Sequence, residues 1–312
     1  MEAREWALIL YTILTQLSVG AFIIIGVVHF FAERKAGIVE ADRMSDRALL
    51  AIGPLLVLAM IASLFHLGTP ANAYRAISNV GSSWLSREIL FTVLFLVTGG
   101  VFALMQWRKV STPQVRNAIA VLAAVIGVVL VYSMSRVYMI RTVPVWDNLA
   151  TPISFFTTTF LLGALAVGLA YVVNYSYMQR RGEAECGDTG VQCELLRTAM
   201  RGLAIAAILL VGIHLVIVPA HLAYLSGGPQ AAQESAGIIS EDYGVLLILR
   251  LVLVFLGAAV LGSFIYQNAS SPGRERFIGN LALVAFALVL VGEVVGRFIF
   301  YASEVSLGIF VQ

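Results

Sequence analysis

The chain has 312 residues, 60% of them hydrophobic and only 12% charged, with a mean hydropathy of +0.90. That is too little charge to cover a soluble globule of this size, so the composition excludes a soluble domain and marks an integral membrane protein. With 20 Lys and Arg against 18 Asp and Glu the net charge is +2, and there is no basic face of the kind that nucleic acid requires.

The opening residues, MEAREWALIL, place two acids and one Arg before the first apolar run, and no small-residue cleavage site follows it. A retained first span is expected rather than a cleaved signal peptide. Apolar runs of about 20 residues, the length that crosses a hydrocarbon core, then follow at 7–31, 48–67, 88–107, 117–138, 152–178, 202–225, 243–267 and 277–301. Only helices or closed barrels satisfy their backbone in lipid, and these runs show little alternation, so they predict an all-α protein with eight transmembrane helices. The connections are short and polar, no fixed-period repeat is visible, and residues 1–312 read as one membrane domain. Thr151-Pro152 has the form of an N-cap followed by a first-turn proline. The two cysteines, Cys186 and Cys193, share the connection 179–201. Two thiols are too few for an Fe–S cluster, which takes about four thiolates; a reduced pair is expected, with a local disulfide or a shared metal site as the alternatives.

Lys and Arg near the span ends set the orientation. The first, third, fifth and seventh connections carry thirteen: Arg34, Lys35, Arg43, Arg47, Arg108, Lys109, Arg116, Arg180, Arg181, Arg197, Arg201, Arg274 and Arg276. The other side carries four, Arg4, Arg75, Arg87 and Arg141. Both termini are therefore expected on the outer, periplasmic side of the cell's inner membrane.

Depth then sorts the ionisable residues. His66 ends the second span at the outer surface, Glu88 opens the third there, and Arg136 with Tyr138 closes the fourth at the same level. His221 lies in the last outward turns of the sixth span and His214 two turns deeper. Arg250 lies about two turns into the seventh. Glu293, Arg297 and Tyr301 climb one face of the eighth at i, i+4 and i+8. The inner half is apolar apart from His29. Singly these residues have ordinary explanations: Arg136, Tyr138 and Tyr301 as interfacial anchors, Arg250 with Glu293 as a structural ion pair, Arg297 as the neutraliser of Glu293, and His221 as donor to a carbonyl freed by Pro219. Together they favour one face of the membrane. A polar site walled by apolar helices and open to that face suits a lipid-soluble quinol, whose oxidation releases two electrons and two protons. Glu88 and His66 are the best-placed proton acceptors. The electrons need another route, which implies a partner subunit with Fe–S clusters on the outer face.

The stretches HLGTPANAYRA (66–76), VGSSWLSREI (80–89), TVPVW (142–146), TPISFF (151–156) and GEVVGRFIFY (292–301) resemble the family of dimethyl sulfoxide reductase membrane anchor subunits, across nearly the whole sequence. More distantly they resemble the polysulfide-reductase type of quinone subunit. The resemblance implies an eight-helix anchor that binds menaquinol near the outer face and holds no haem. It would pass electrons to a four-cluster Fe–S subunit and on to a molybdopterin catalytic subunit in anaerobic respiration. The family's quinol-linked His and Glu fall on His66 and Glu88, with Arg136, Glu293, Arg297 and Tyr301 as further head-group or network residues. The charged fifth connection, RRGEAECGDTGVQCELLR, departs from the family pattern.

Three rival readings have distinct signatures. A b-type cytochrome needs two imidazoles from different helices at one depth, and His66 with His221 is the pairing available. A secondary transporter places its site at the midplane between repeats, which this pattern lacks. A passive tether predicts that neither Glu88 nor His66 matters to turnover.

Overall fold

The structure is a computed structural model, and it describes residues 3–64, 78–183, 190–268 and 274–307. No strand occurs among them, and eight helices are long and apolar enough to cross a membrane. In order along the sequence the helices are α1 (Ala3–Ala36), α2 (Ile38–Leu64), α3 (Trp84–Arg108), α4 (Pro113–Tyr138), α5 (Ala150–Arg180), α6 (Val191–Ser226), α7 (Gln230–Gly237), α8 (Gly244–Val254), α9 (Leu261–Asn268) and α10 (Glu275–Ala302). A π-helical turn, Phe255–Val260, joins α8 to α9, so the seventh span is one rod with a local widening. A second π turn, Ile238–Asp242, follows α7.

Local signals explain several boundaries. Ser83 caps α3 by accepting from the Ser86 amide at 3.3 Å, and Thr112 caps α4 with Pro113 at its first position, each satisfying an amide that the helix cannot. The turn between α1 and α2 is a single residue, Gly37, at φ +83°, which only glycine adopts without strain. Residue 151 does not cap α5 as its Thr-Pro pairing suggests. Asn148 Oδ1 accepts from the Ala150 amide at 2.9 Å, while Thr151 Oγ1 donates to the Trp146 carbonyl at 2.7 Å from inside the helix.

Two helices outrun the apolar stretches that announced them. Helix α2 begins ten residues before its apolar run and α6 eleven before; the 36 residues of α6 span about 54 Å at 1.5 Å per residue, well beyond a hydrocarbon core of about 30 Å. The charged turns that project are stitched together: Lys35 to Glu194 at 2.7 Å, Arg47 Nη1 to Asn174 Oδ1 at 2.8 Å, and Gln192 Nε2 to Glu40 Oε2 at 2.6 Å. Cys193, buried at the start of α6, is disulfide-bonded, contrary to the reduced pair expected; Cys186 lies outside the described residues.

Helices α1 and α5 form the centre, with 72% and 67% of their most apolar stretches buried against 17–39% for the other spans. They meet backbone to backbone, because a Cβ on Gly20 would strike the Thr159 carbonyl and one on Gly163 would strike Gly20 itself. Close approach through small residues is the usual way membrane helices gain packing without a hydrophobic driving force. Helices α2, α3 and α4 surround one side of this pair, and α6, α8, α9 and α10 the other. Over one end, the connection 139–149 and α7 pack together through Val143, Val145, Trp146, Leu225, Ala232 and Ile239.

Candidate functional site

Beneath that cap lies a polar interior. Glu88 is in the second turn of α3 with 4% of its surface exposed, and it hydrogen-bonds the Tyr11 hydroxyl of α1. Tyr11 also lies 3.1 Å from Thr92 Oγ1, whose hydroxyl donates to the Glu88 carbonyl at 2.8 Å. Tyr138 of α4 and Tyr301 of α10 meet hydroxyl to hydroxyl at 2.8 Å, and Tyr301 also reaches Thr12. Both tyrosines are within electrostatic range of Glu88. Trp146, Phe155, Phe300 and Tyr301 surround the Tyr138 ring at centroid distances of 5.4 to 5.7 Å.

Arg297, 4% exposed, sits under this aromatic plug. Its guanidinium lies 3.9 Å from the Phe155 ring centroid and donates through Nη2 to Gln16 Oε1 of α1 at 3.0 Å. The Gln16 amide in turn donates to the Phe155 carbonyl at 3.3 Å. Arg297 therefore turns toward α1 and α5 and does not serve simply as the i+4 neutraliser of Glu293.

Glu293 has other company. Its Oε2 accepts from Thr158 Oγ1 at 2.7 Å and lies 3.8 Å from Arg250 Nη2. Its Oε1 lies 3.3 Å from His214 Nε2, which Arg250 Nη2 approaches to 2.6 Å. The expected Arg250–Glu293 pair is therefore present, but as part of a triad with His214. His214 and Glu293 are 1% and 2% exposed, a depth at which ionisable groups persist only when paired or employed. The close crossing of α8 and α10 depends on Gly292 and Gly296, since a Cβ on Gly296 would occupy the Arg250 guanidinium. A cavity of about 80 Å³ opens beside the triad, bounded among others by Ser154, Thr158, His214, His221, Arg250 and Glu293.

Glu88, Glu293, Arg297 and Tyr301 are thus gathered at one end of the bundle. Arg136 stands apart from them over Trp84, 5.3 Å from the ring centroid, with Nη1 donating to Met139 Sδ at 3.4 Å. His66 lies outside the described residues. His221 contacts the Val145 carbonyl at 3.1 Å and Asn148 Nδ2 at 3.2 Å, so its partner belongs to the connection 139–149 and not to a carbonyl freed by Pro219.

Depth along the sequence placed His214 in the outer half but assigned it no role, and it did not bring out Tyr11, Gln16 or Thr158 as members. The signal for Gln16 was available, since an amide side chain in the apolar run of span one must find a partner inside the protein. The opposite end carries its own polar cluster, built mostly from the connections 32–47 and 108–116. Lys109 Nζ lies 2.7 Å from both Asp42 Oδ2 and Asp46 Oδ2, Gln106 Nε2 donates to their Oδ1 atoms at 2.6 and 2.9 Å, and His29 Nε2 is 3.7 Å from Asp42.

Comparison with known proteins gives a consistent result over the full length. This protein is 30% identical over 310 residues to the C subunit of anaerobic dimethyl sulfoxide reductase from Escherichia coli, with 98% of the present sequence and 96% of the relative covered. It is 29% identical over 311 residues to the YnfH subunit of anaerobic dimethyl sulfoxide reductase from the same organism, again with 98% and 96% covered. With the C subunit of the Haemophilus influenzae anaerobic dimethyl sulfoxide reductase it shares 26% identity over 305 residues, with 97% and 96% covered. The family model of the DMSO reductase anchor subunit (DmsC) matches residues 1–303, and with eight membrane-length helices around a buried polar end, this protein belongs to that family as the multi-pass membrane anchor of a reductase complex.

Proposed function

We propose that this anchor oxidises menaquinol near the outer face of the cytoplasmic membrane. Glu88 and His66 take the quinol protons, and the electrons go to a four-cluster Fe–S subunit that feeds a molybdopterin catalytic subunit. The observation that carries the reading is Glu88 itself, a carboxylate 4% exposed among the hydroxyls of Tyr11 and Thr92. Its carboxylate is hydrogen-bonded to the Tyr11 hydroxyl, a side chain of the kind that takes part in proton transfer. Arg297 and Glu293 support it from α10, which also presents Tyr301 toward Glu88.

The exposed acids Glu234, Glu241 and Asp242 lie on the same end, in and just after α7, and favour a partner with a basic docking patch. Quinol protons released on the outer side, where the catalytic subunit consumes them, leave no net charge transfer, so turnover in sealed vesicles should build no membrane potential.

The decisive experiment compares Glu88→Gln and His66→Ala in the intact complex with two electron donors. Quinol-dependent turnover should collapse in both variants while turnover with an artificial donor persists. A passive tether would leave both activities unchanged. A Lys/Arg-rich connection such as 179–201 found on the periplasmic side by reporter fusion would overturn the orientation.

A further inference from the structure

Two large grooves flank α1 at the end of the bundle where that helix finishes, and their rims differ in charge. One, of about 590 Å³, lies toward α2, α3 and α4; Glu33 and Asp46 are among the residues that line it, and no Lys or Arg is. The other, of about 690 Å³, lies toward α5 and α6; Arg34 and Lys35 are among its lining residues, and no acid is.

The second groove has the length of one lipid chain. Its lining runs from Ile23 to Lys35 on α1 and from Leu195 to Ala206 on α6, which at 1.5 Å per residue is about 18 and 17 Å. Half of a hydrocarbon core of about 30 Å is about 15 Å. Arg34, Lys35 and Thr198 are its only polar lining residues, and all three lie at the end where α1 finishes and α6 begins. Lys35 ties the two helices together there: its Nζ is 2.7 Å from Glu194 Oε1 and donates to Thr198 Oγ1 at 3.2 Å. An ammonium has three donors, so one is left, and the side chain is 44% exposed. Arg34 is also exposed, its guanidinium 4.2 Å from the Phe30 ring centroid. Glu194 is within electrostatic range of both Lys35 and Arg197, so one carboxylate answers two cations and Arg34 has no carboxylate paired with it among the described residues. A chain-length apolar groove with a cationic mouth fits an amphiphile whose headgroup is anionic. A quinone ring is neutral and would leave that charge unanswered.

We propose that the groove between α1 and α6 binds an anionic phospholipid, with one acyl chain laid along Ile23–Lys35 and the headgroup phosphate accepting from Lys35 and Arg34. The site is independent of the quinol reading, since Glu88, Glu293 and Arg297 take no part in it. Gly202 lines the same groove, and a Cβ built on it meets nothing within 4 Å. A larger side chain at that position therefore enters the space that the acyl chain occupies without first striking the protein.

The test reconstitutes the intact complex in phosphatidylcholine vesicles doped with a photoreactive probe, either phosphatidylglycerol or phosphatidylcholine carrying a diazirine at the end of one chain. Labelled peptides are then read by mass spectrometry. The expected label falls on residues 23–28 and 203–206, with the phosphatidylglycerol probe ahead by about 30-fold. That ratio is about 2 kcal/mol at 1.4 per tenfold, or about 1 for each cation. Arg34→Gln together with Lys35→Gln should bring the two probes level; if that pair does not assemble, Arg34→Gln alone should lower the ratio about 5-fold. Gly202→Leu should abolish labelling of these residues by both probes while turnover with an artificial electron donor is retained. Equal labelling by the two probes, a preference that survives loss of both cations, or undiminished labelling in Gly202→Leu would overturn the proposal. So would an unlabelled groove in the unaltered complex, which would show that a partner subunit fills it instead.

Discussion

The two ends of this bundle solve the same problem in opposite ways. At the Asp42–Asp46 end, both carboxylates have both oxygens occupied by Lys109 and Gln106, and the lysine side chain is 43% exposed. At the Glu293 end His214 and Glu293 are sealed from solvent and the Arg250 side chain is 12% exposed, yet each keeps a buried atom with no partner among the described residues. The first arrangement is saturated and wet, a clamp between α2 and α3. The second leaves buried polar atoms without partners among the described residues, and such atoms call for an explanation beyond packing.

The contrast can be broken experimentally. The largest effect should come from Glu88→Gln, where losing a positioned proton acceptor is expected to slow quinol-dependent turnover about 100-fold, within the range general bases contribute. Equal slowing with an artificial donor would show that the change acts on assembly. Next, Glu293→Ala removes one member of a buried ion cluster and leaves Arg250 uncompensated, a loss of about 3–5 kcal/mol readable in denaturant unfolding of the purified complex. A loss as small as that of a surface pair would erase the distinction between the two ends. Tyr301→Phe deletes the hydroxyl contact to Tyr138 and should cost about 1 kcal/mol, again by denaturant unfolding. The smallest effect belongs to Lys109→Ala, below about 1 kcal/mol because the pair is solvent-screened, and it should shrink further at high salt.

Much of the fold was legible because hydropathy reports what lipid demands. Eight runs near 20 residues became eight membrane-length helices, and Glu293, Arg297 and Tyr301 do share one face of α10 as their spacing requires. What failed to show has a common cause. Helices α2 and α6 continue past their apolar runs on charged turns, where composition no longer distinguishes helix from connection. Helix α7 has too few residues and too little apolar content to stand out. The π turn in the seventh span is invisible in FLGAAV because every register of an apolar segment reads alike. At the site, single residues could be ranked by depth, but rotation about each helix axis could not be read. His214 therefore read only as an imidazole two turns below His221, whereas it faces Arg250 and Glu293 across three helices.

One contact beyond α10 gives the arrangement a mechanical side. The Leu307 amide bonds the Thr142 carbonyl at 2.7 Å, and the Trp146 indole bonds the Phe300 carbonyl at 2.8 Å while stacking on its ring. The final helix is thus laced at its tip to the connection between α4 and α5, like a lever pinned to its cover plate. A subunit seated on that plate would press on the rod whose other turns hold Arg297 and Glu293.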